Sequence, residues 1–200
     1  YVGHAAGERI LDGQIGRGDG ETIHAAIWYC DLRGFTALSD RLPRDAMIEL
    51  LNAYFGGMAA PVEAQGGEIM KFIGDAMLAV FRIDAGSDVA AVCRRALAAA
   101  RQAVADIAAL NHQRRALGQT VIDFGLALHV GEVMYGNIGA PSRLDFTVVG
   151  PAVNLVTRIE SLFPPVGRPV LVSAAVPAHR PAGSEPRGAL PAQWCDGRAA

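Results

Sequence analysis

Glu68-Ile69-Met70-Lys71-Phe72-Ile73-Gly74-Asp75-Ala76-Met77-Leu78-Ala79-Val80-Phe81 consists of two β-rich runs joined at Gly74-Asp75. A Gly-Asp step between apolar runs is tight-hairpin chemistry, which predicts strands over Glu68–Ile73 and Ala76–Phe81 with Asp75 on the turn. Upstream, His24–Cys30 is an apolar run of strand length, as expected of a strand buried on both faces, and it ends at Asp31. Between that strand and the hairpin, Ile48, Leu51, Phe55 and Met58 recur at helical spacing. They predict a helix from Pro43 to Gln65, started by Pro43 and stopped by Gly66-Gly67. Downstream, an Ala-rich helix over Ser87–Leu117 precedes strands over Val121–Val130 and Val133–Ile138, with Gly131-Glu132 read as the turn between them. A strand over Arg143–Val149, a helix over Pro151–Leu162, a break at Pro164-Pro165 and a strand over Pro169–Val172 follow. The order β-α-β-β-α-β belongs to the α+β class: a split βαβ, ferredoxin-like or palm sheet, mainly antiparallel, with flanking helices expected on one side.

The 200 residues fit one domain with a sizeable core: residues 1–22 as a lead-in helix and loop, 23–178 as the folded unit, and 179–200, rich in Pro, Ala, Gly and Arg, as a poorly ordered tail. A net charge of −2 supplies no basic footprint for nucleic acid or anionic lipid, so an anionic ligand must be captured by local groups. Cys30, Cys93 and Cys195 are odd in number and far apart, which supports neither a disulfide framework nor a zinc site and points to a reducing cytoplasm. The most apolar long stretch, Val89–Leu110, carries Arg94, Arg95, Arg101 and Asp106, so it reads as an amphipathic helix rather than a membrane span. The chain opens with Tyr1, which leaves room for a sensor or membrane region outside it.

Asp31 at a strand end and Asp75 on a hairpin turn would meet if the hairpin pairs beside that strand, and two hard carboxylates held together bind Mg²⁺. Each could equally do no more than cap or turn the chain. Gly34-Phe35-Thr36 follows Asp31 and opens onto a helix, where backbone N–H groups can cradle phosphates or simply form a strand-to-helix turn. Lys71, the one lysine among 18 basic residues, lies four residues before Asp75, as a point charge for a nucleobase or a solvated strand residue. Asn154 and Arg158 are spaced i, i+4 on one helix face, as an amide and guanidinium suited to developing phosphate charge or as a cap and a surface group.

Taken together, Asp-Leu-Arg-Gly-Phe-Thr at 31–36, Lys-Phe-Ile-Gly-Asp at 71–75, Leu-His-Val-Gly-Glu-Val at 128–133 with Gly-Asn-Ile-Gly at 136–139, and Val-Gly-Pro-Ala-Val-Asn-Leu-Val-Thr-Arg at 149–158 resemble class III adenylate/guanylate cyclases in order and spacing. The resemblance covers about Ile23 to Val172. It implies a palm-like sheet and a head-to-tail homodimer with shared active sites. It further implies two Mg²⁺ or Mn²⁺ ions per site on Asp31, Asp75 and the Leu32 carbonyl, and triphosphate contacts from Gly34, Phe35 and Thr36. Lys71 and Thr147 would select the base, Asn154 orient the ribose, and Arg158 stabilise phosphate charge. The expected activity is conversion of ATP to 3′,5′-cyclic AMP and pyrophosphate.

Two departures accompany the resemblance. Thr147 stands where many members have Asp, a Lys and Thr pair like that of the subgroup containing bicarbonate-responsive cyclases. No lysine follows Lys71, although the family usually has one near its C-terminus, with Arg187 a substitute there. The rival reading is a catalytically weak or inactive cyclase-like regulatory module. A diguanylate-cyclase relative is disfavoured because Gly66-Gly67-Glu68 continues as Ile69-Met70.

Overall fold

A computed structural model describes residues 20–140, 143–163 and 168–177. Its elements run β1 (Gly20–Leu32), α1 (Phe35–Arg41), α2 (Arg44–Ala64), β2 (Glu68–Ile73), β3 (Ala76–Ile83), α3 (Val89–Ala116), β4 (Phe124–Ala140), β5 (Arg143–Val149), α4 (Pro151–Glu160) and β6 (Val170–Val172). The sheet order is β2-β3-β1-β4-β5, every neighbour antiparallel, with β6 added parallel to the first half of β4. The split βαβ expectation holds, because α2 carries the chain from β1 to β2 and β3 inserts between them.

β1 is central, and its two-residue period explains its unbroken apolar run. Ala26, Trp28, Cys30 and Leu32 join the larger core beneath α2 and α3, while Ile23, Ala25 and Ile27 join the second core beneath α4, so helices cover both faces of the sheet rather than the one side expected. Both faces exclude water, so neither can alternate to polar residues. The start of α3 is capped by Asp88, whose carboxylate accepts from the Ala90 N–H at 2.9 Å.

The turn expected at Gly131-Glu132 does not exist. β4 is one 17-residue strand, in which Gly131 pairs with Ala25 and Glu132 with His24 of β1. Glycine is required there by the layer above the sheet: a Cβ on Gly131 would come within 2.7 Å of the Ala152 Cβ on α4. β1 likewise begins at Gly20, before the expected His24, since Gly20 and Glu21 pair with Gly136 and Tyr135. The seven-residue α1 was not anticipated; it has no fully buried residue, and only Phe35 and Leu38 pack against the larger core. Most of the expected lead-in, the Pro164-Pro165 break and the tail with Arg187 lie outside the described residues. No helix among the described residues is long and apolar enough to cross a membrane.

Gly131→Ala is expected to lower stability by about 1–3 kcal/mol, because helix and strand backbones must separate to admit the methyl group. Urea unfolding measures it, and an unchanged midpoint would mean that α4 does not rest on Gly131.

Candidate active site

The register of β1 against β3 sets Asp31 opposite Ala76, and therefore beside Asp75. Gly74, at φ 63°, supplies the left-handed residue that makes the intervening β2–β3 turn short. The two carboxyls are near enough that Asp75 bears on the ionisation of Asp31. Burial in the first place, and then Asp75, push Asp31 up to about 7; Glu160 adds to the rise and Arg33 opposes it. Oδ1 of Asp31 is buried without a hydrogen-bond partner. Two residues earlier on the same strand face, burial first, then Asp31, Glu160 and Asp75, push the half-buried Tyr29 phenol up to about 12. The region is a desolvated patch of negative potential.

Those features fit a hard divalent cation: two oxygen donors, one of them an orphan, with the Leu32 main chain directly adjoining. Among the described residues no cluster of three or more His, Cys, Asp or Glu side chains exists. A cation there would complete its shell with water and substrate oxygens, which suits Mg²⁺. Gly34 turns the chain into α1 at φ 67°, and a Cβ on it would meet nothing within 4 Å, so that side of the turn is open. Phe35 is held partly buried against the larger core, whereas Thr36 is exposed.

Lys71 pairs with Leu78, a member of the α4-side core, which places it on the same sheet face as Asp31. An irregularity between Ile69 and Lys71 lets the strand switch faces, so that Phe72 meets the Phe55 ring at 4.5 Å on the opposite side. Thr147 on β5 is 3% exposed, and its hydroxyl has no partner. Asn154 and Arg158 are exposed on α4, whereas Ala152, Val156 and Glu160 are buried. At 100° per residue the two sets point in opposite directions, so Asn154 and Arg158 face away from the sheet that holds Asp31. The fold thus gathers Asp31, Leu32, Asp75 and the 34–36 turn, but does not turn Asn154 and Arg158 towards them.

Sequence reasoning missed an ion pair between Arg33 and Glu160. Arg33 Nη2 donates to Glu160 Oε1 and, at 3.2 Å, to the Glu160 carbonyl, and its guanidinium lies 4.5 Å from the Phe163 ring centre. The Glu160 side chain is 5% exposed and that of Arg33 21%. An exposed pair contributes about 0–1 kcal/mol, but removing one partner here would strand a buried charge at about 3–5 kcal/mol. The available signal was Glu160 itself, a carboxylate four residues after Val156 on the apolar stripe of its helix.

The molecule is thus a mostly antiparallel palm-type sheet with two carboxylates where its central strand meets a hairpin. Residues 20–178 match the family model for the adenylate and guanylate cyclase catalytic domain, and the chain belongs to that family. It is 33% identical over 159 residues to an adenylate cyclase of Anabaena cylindrica, covering 80% of this chain and 31% of that protein. Among solved structures, a bacterial light-regulated adenylyl cyclase aligns with a TM-score of 0.76 at 26% identity, over 88% of this chain and 51% of the other. The guanylyl cyclase Cya2 aligns with a TM-score of 0.63 at 37% identity, over 71% of each. The chain spans less than a third of the length of the curated relatives it matches.

A divalent cation is expected to stabilise the folded chain, by about 2.7 kcal/mol at a hundredfold excess over its dissociation constant. In chelator the sign reverses: a carboxyl raised from 3.8 to about 7 loses stability for the fold as pH climbs through that window, because the unfolded chain ionises it more readily. Thermal unfolding with and without Mn²⁺ should show a shift in wild type and a much smaller one in Asp31→Asn. An equal shift in both would place the cation elsewhere.

Proposed function

We propose that this chain is an adenylate cyclase catalytic domain that converts ATP to 3′,5′-cyclic AMP and pyrophosphate in sites shared by two copies. The observation that carries the reading is the Asp31–Asp75 pair, in which Asp31 is desolvated and keeps a buried oxygen without a partner. Asp31, Asp75 and the Leu32 carbonyl would hold Mg²⁺ or Mn²⁺, two per site. Ions bound there supply charge for the triphosphate and lower the pKa of the ribose 3′-hydroxyl.

The remaining steps belong to the chain's own groups. The turn at Gly34, Phe35 and Thr36 offers main-chain N–H groups to the triphosphate. Lys71 donates to the adenine ring, and the buried Thr147 hydroxyl gains a partner on the base edge. A base that satisfies a stranded hydroxyl is favoured over one that does not, because an unmade buried hydrogen bond costs about 1–3 kcal/mol. Asn154 orients the ribose, and Arg158 stabilises the charge that grows on the phosphates during 3′-oxygen attack.

The opposed directions of α4 support a homodimer. Ala152, Val156 and Glu160 are turned into the protein, so Asn154 and Arg158 serve a nucleotide bound to the carboxylates of the other copy. Each dimer then has two equivalent sites. We place the domain in the cytoplasm, where ATP is supplied.

Purified protein incubated with Mn²⁺ and either ATP or GTP tests the reading. Cyclic AMP is expected, with ATP preferred about tenfold or more over GTP, roughly the discrimination of one base-edge hydrogen bond. Preferred cyclic GMP formation would overturn the adenine assignment, and nucleotide binding without product from either would favour the regulatory-module reading. Asp31→Ala and Asp75→Ala should each lower turnover by about 100-fold or more while leaving a folded protein.

Mixing Asp31→Ala with Arg158→Ala should restore roughly a quarter of wild-type activity, since about half the dimers are mixed and each holds one intact site of two. Demonstrated subunit exchange without recovery would place all catalytic groups within one chain.

A further inference from the structure

Arg33 and Glu160 lie 127 positions apart in sequence, yet they join the two elements that carry the proposed catalytic groups. Arg33 is two residues after Asp31, and its N–H donates to the Asp123 carbonyl at 2.8 Å, which ties the start of the 33–36 turn to the β4 side. Glu160 is the last residue of α4, six residues after Asn154 and two after Arg158. The guanidinium holds both a carboxylate oxygen and the main-chain carbonyl of Glu160, so it grips the end of the helix as well as a side chain. Gly125 provides the seat: it pairs with Asp31 across β1 and β4, and a Cβ on it would collide with both Arg33 and Glu160. Gly131 accepts Ala152 on the same strand face, six residues along, so α4 rests on β4 at two glycines.

We propose that Arg33 and Glu160 are a positioning pair for the cyclase reaction. Seated on Gly125, they lock the helix bearing Asn154 and Arg158 to the strand bearing Asp31. The roles of those residues rest on the function proposed above; the lock itself rests on geometry alone. Neither member touches substrate. A single chain contributes carboxylates to one site of a dimer and Asn154 and Arg158 to the other, and the lock makes those contributions move together.

Four variants test this: Arg33→Lys, which keeps the charge but is shorter and loses the guanidinium plane that lies over the Phe163 ring, Arg33→Met, Glu160→Gln, and the double variant Arg33→Met/Glu160→Gln. Each single change is expected to lower kcat about tenfold while KM and the Mn²⁺ half-saturation stay within about threefold, and the double should be no worse than its poorer single, as for two residues acting as a unit. Hydrogen exchange, read without nucleotide, should quicken about tenfold across residues 151–160 in Arg33→Lys and stay unchanged in β1 and β3. Unchanged exchange in α4 would overturn the lock whatever the activity of the wild type. A folded Arg33→Lys within twofold of wild-type kcat, losses that multiply in the double variant, or an effect confined to Mn²⁺ half-saturation would also overturn it. A wild type that makes no cyclic product would instead remove the function proposed above, with the exchange result still deciding the lock.

Discussion

The antiparallel register of β1 against β3 is the constraint on which the site depends. It sets Asp31 opposite Ala76, so the carboxyl at the end of the central strand meets the one on the hairpin turn. Because side chains alternate along a strand, a slip of one residue would send Asp31 to the α2–α3 side and bury a carboxylate in an apolar core. The register is held on both faces: Trp28 and Cys30 with the larger core, Ala25 and Ile27 with the smaller. Fold stability therefore keeps two carboxyls together that would otherwise separate, and the rise of Asp31 towards 7, from burial first and then from Asp75, expresses what that placement costs.

α4 is the second determinant. Its buried side rests on two glycines of β4, and its other side presents Asn154 and Arg158 outward. A helix that shows its catalytic candidates away from its own carboxylates has a reason to meet another copy. In the proposed function the same arrangement would separate two jobs of the chain, cation binding at the end of β1 and ribose and phosphate contacts on α4. The Arg33–Glu160 pair spans the gap between them.

What was legible in the sequence was local. The hairpin could be read because Gly74-Asp75 is turn chemistry flanked by apolar runs, and Asp31 because the apolar run before it ends abruptly. The site elements that were misread answer to distant partners. Gly131-Glu132 looks like a turn, but Gly131 exists to admit Ala152; Gly125 gave no local sign of seating an ion pair. Arg33 and Glu160 are each unremarkable in their own segments, and only the folded chain brings them together. The direction of Lys71 required the β2 irregularity, which no periodicity argument foresees. The placement of α1 escaped because only Phe35 and Leu38 of its seven residues pack against the core, and neither is fully buried.

The central claim, that one copy's carboxylate pair and another copy's α4 make one site, is tested most directly by crystals grown with Mn²⁺ and a non-cyclisable ATP analogue. The account predicts Mn²⁺ anomalous density at coordinating distance from Asp31 and Asp75 of one copy, with Asn154 and Arg158 of the other copy on the nucleotide. Density away from the carboxylate pair, or Asn154 and Arg158 of the same copy on that nucleotide, would contradict it.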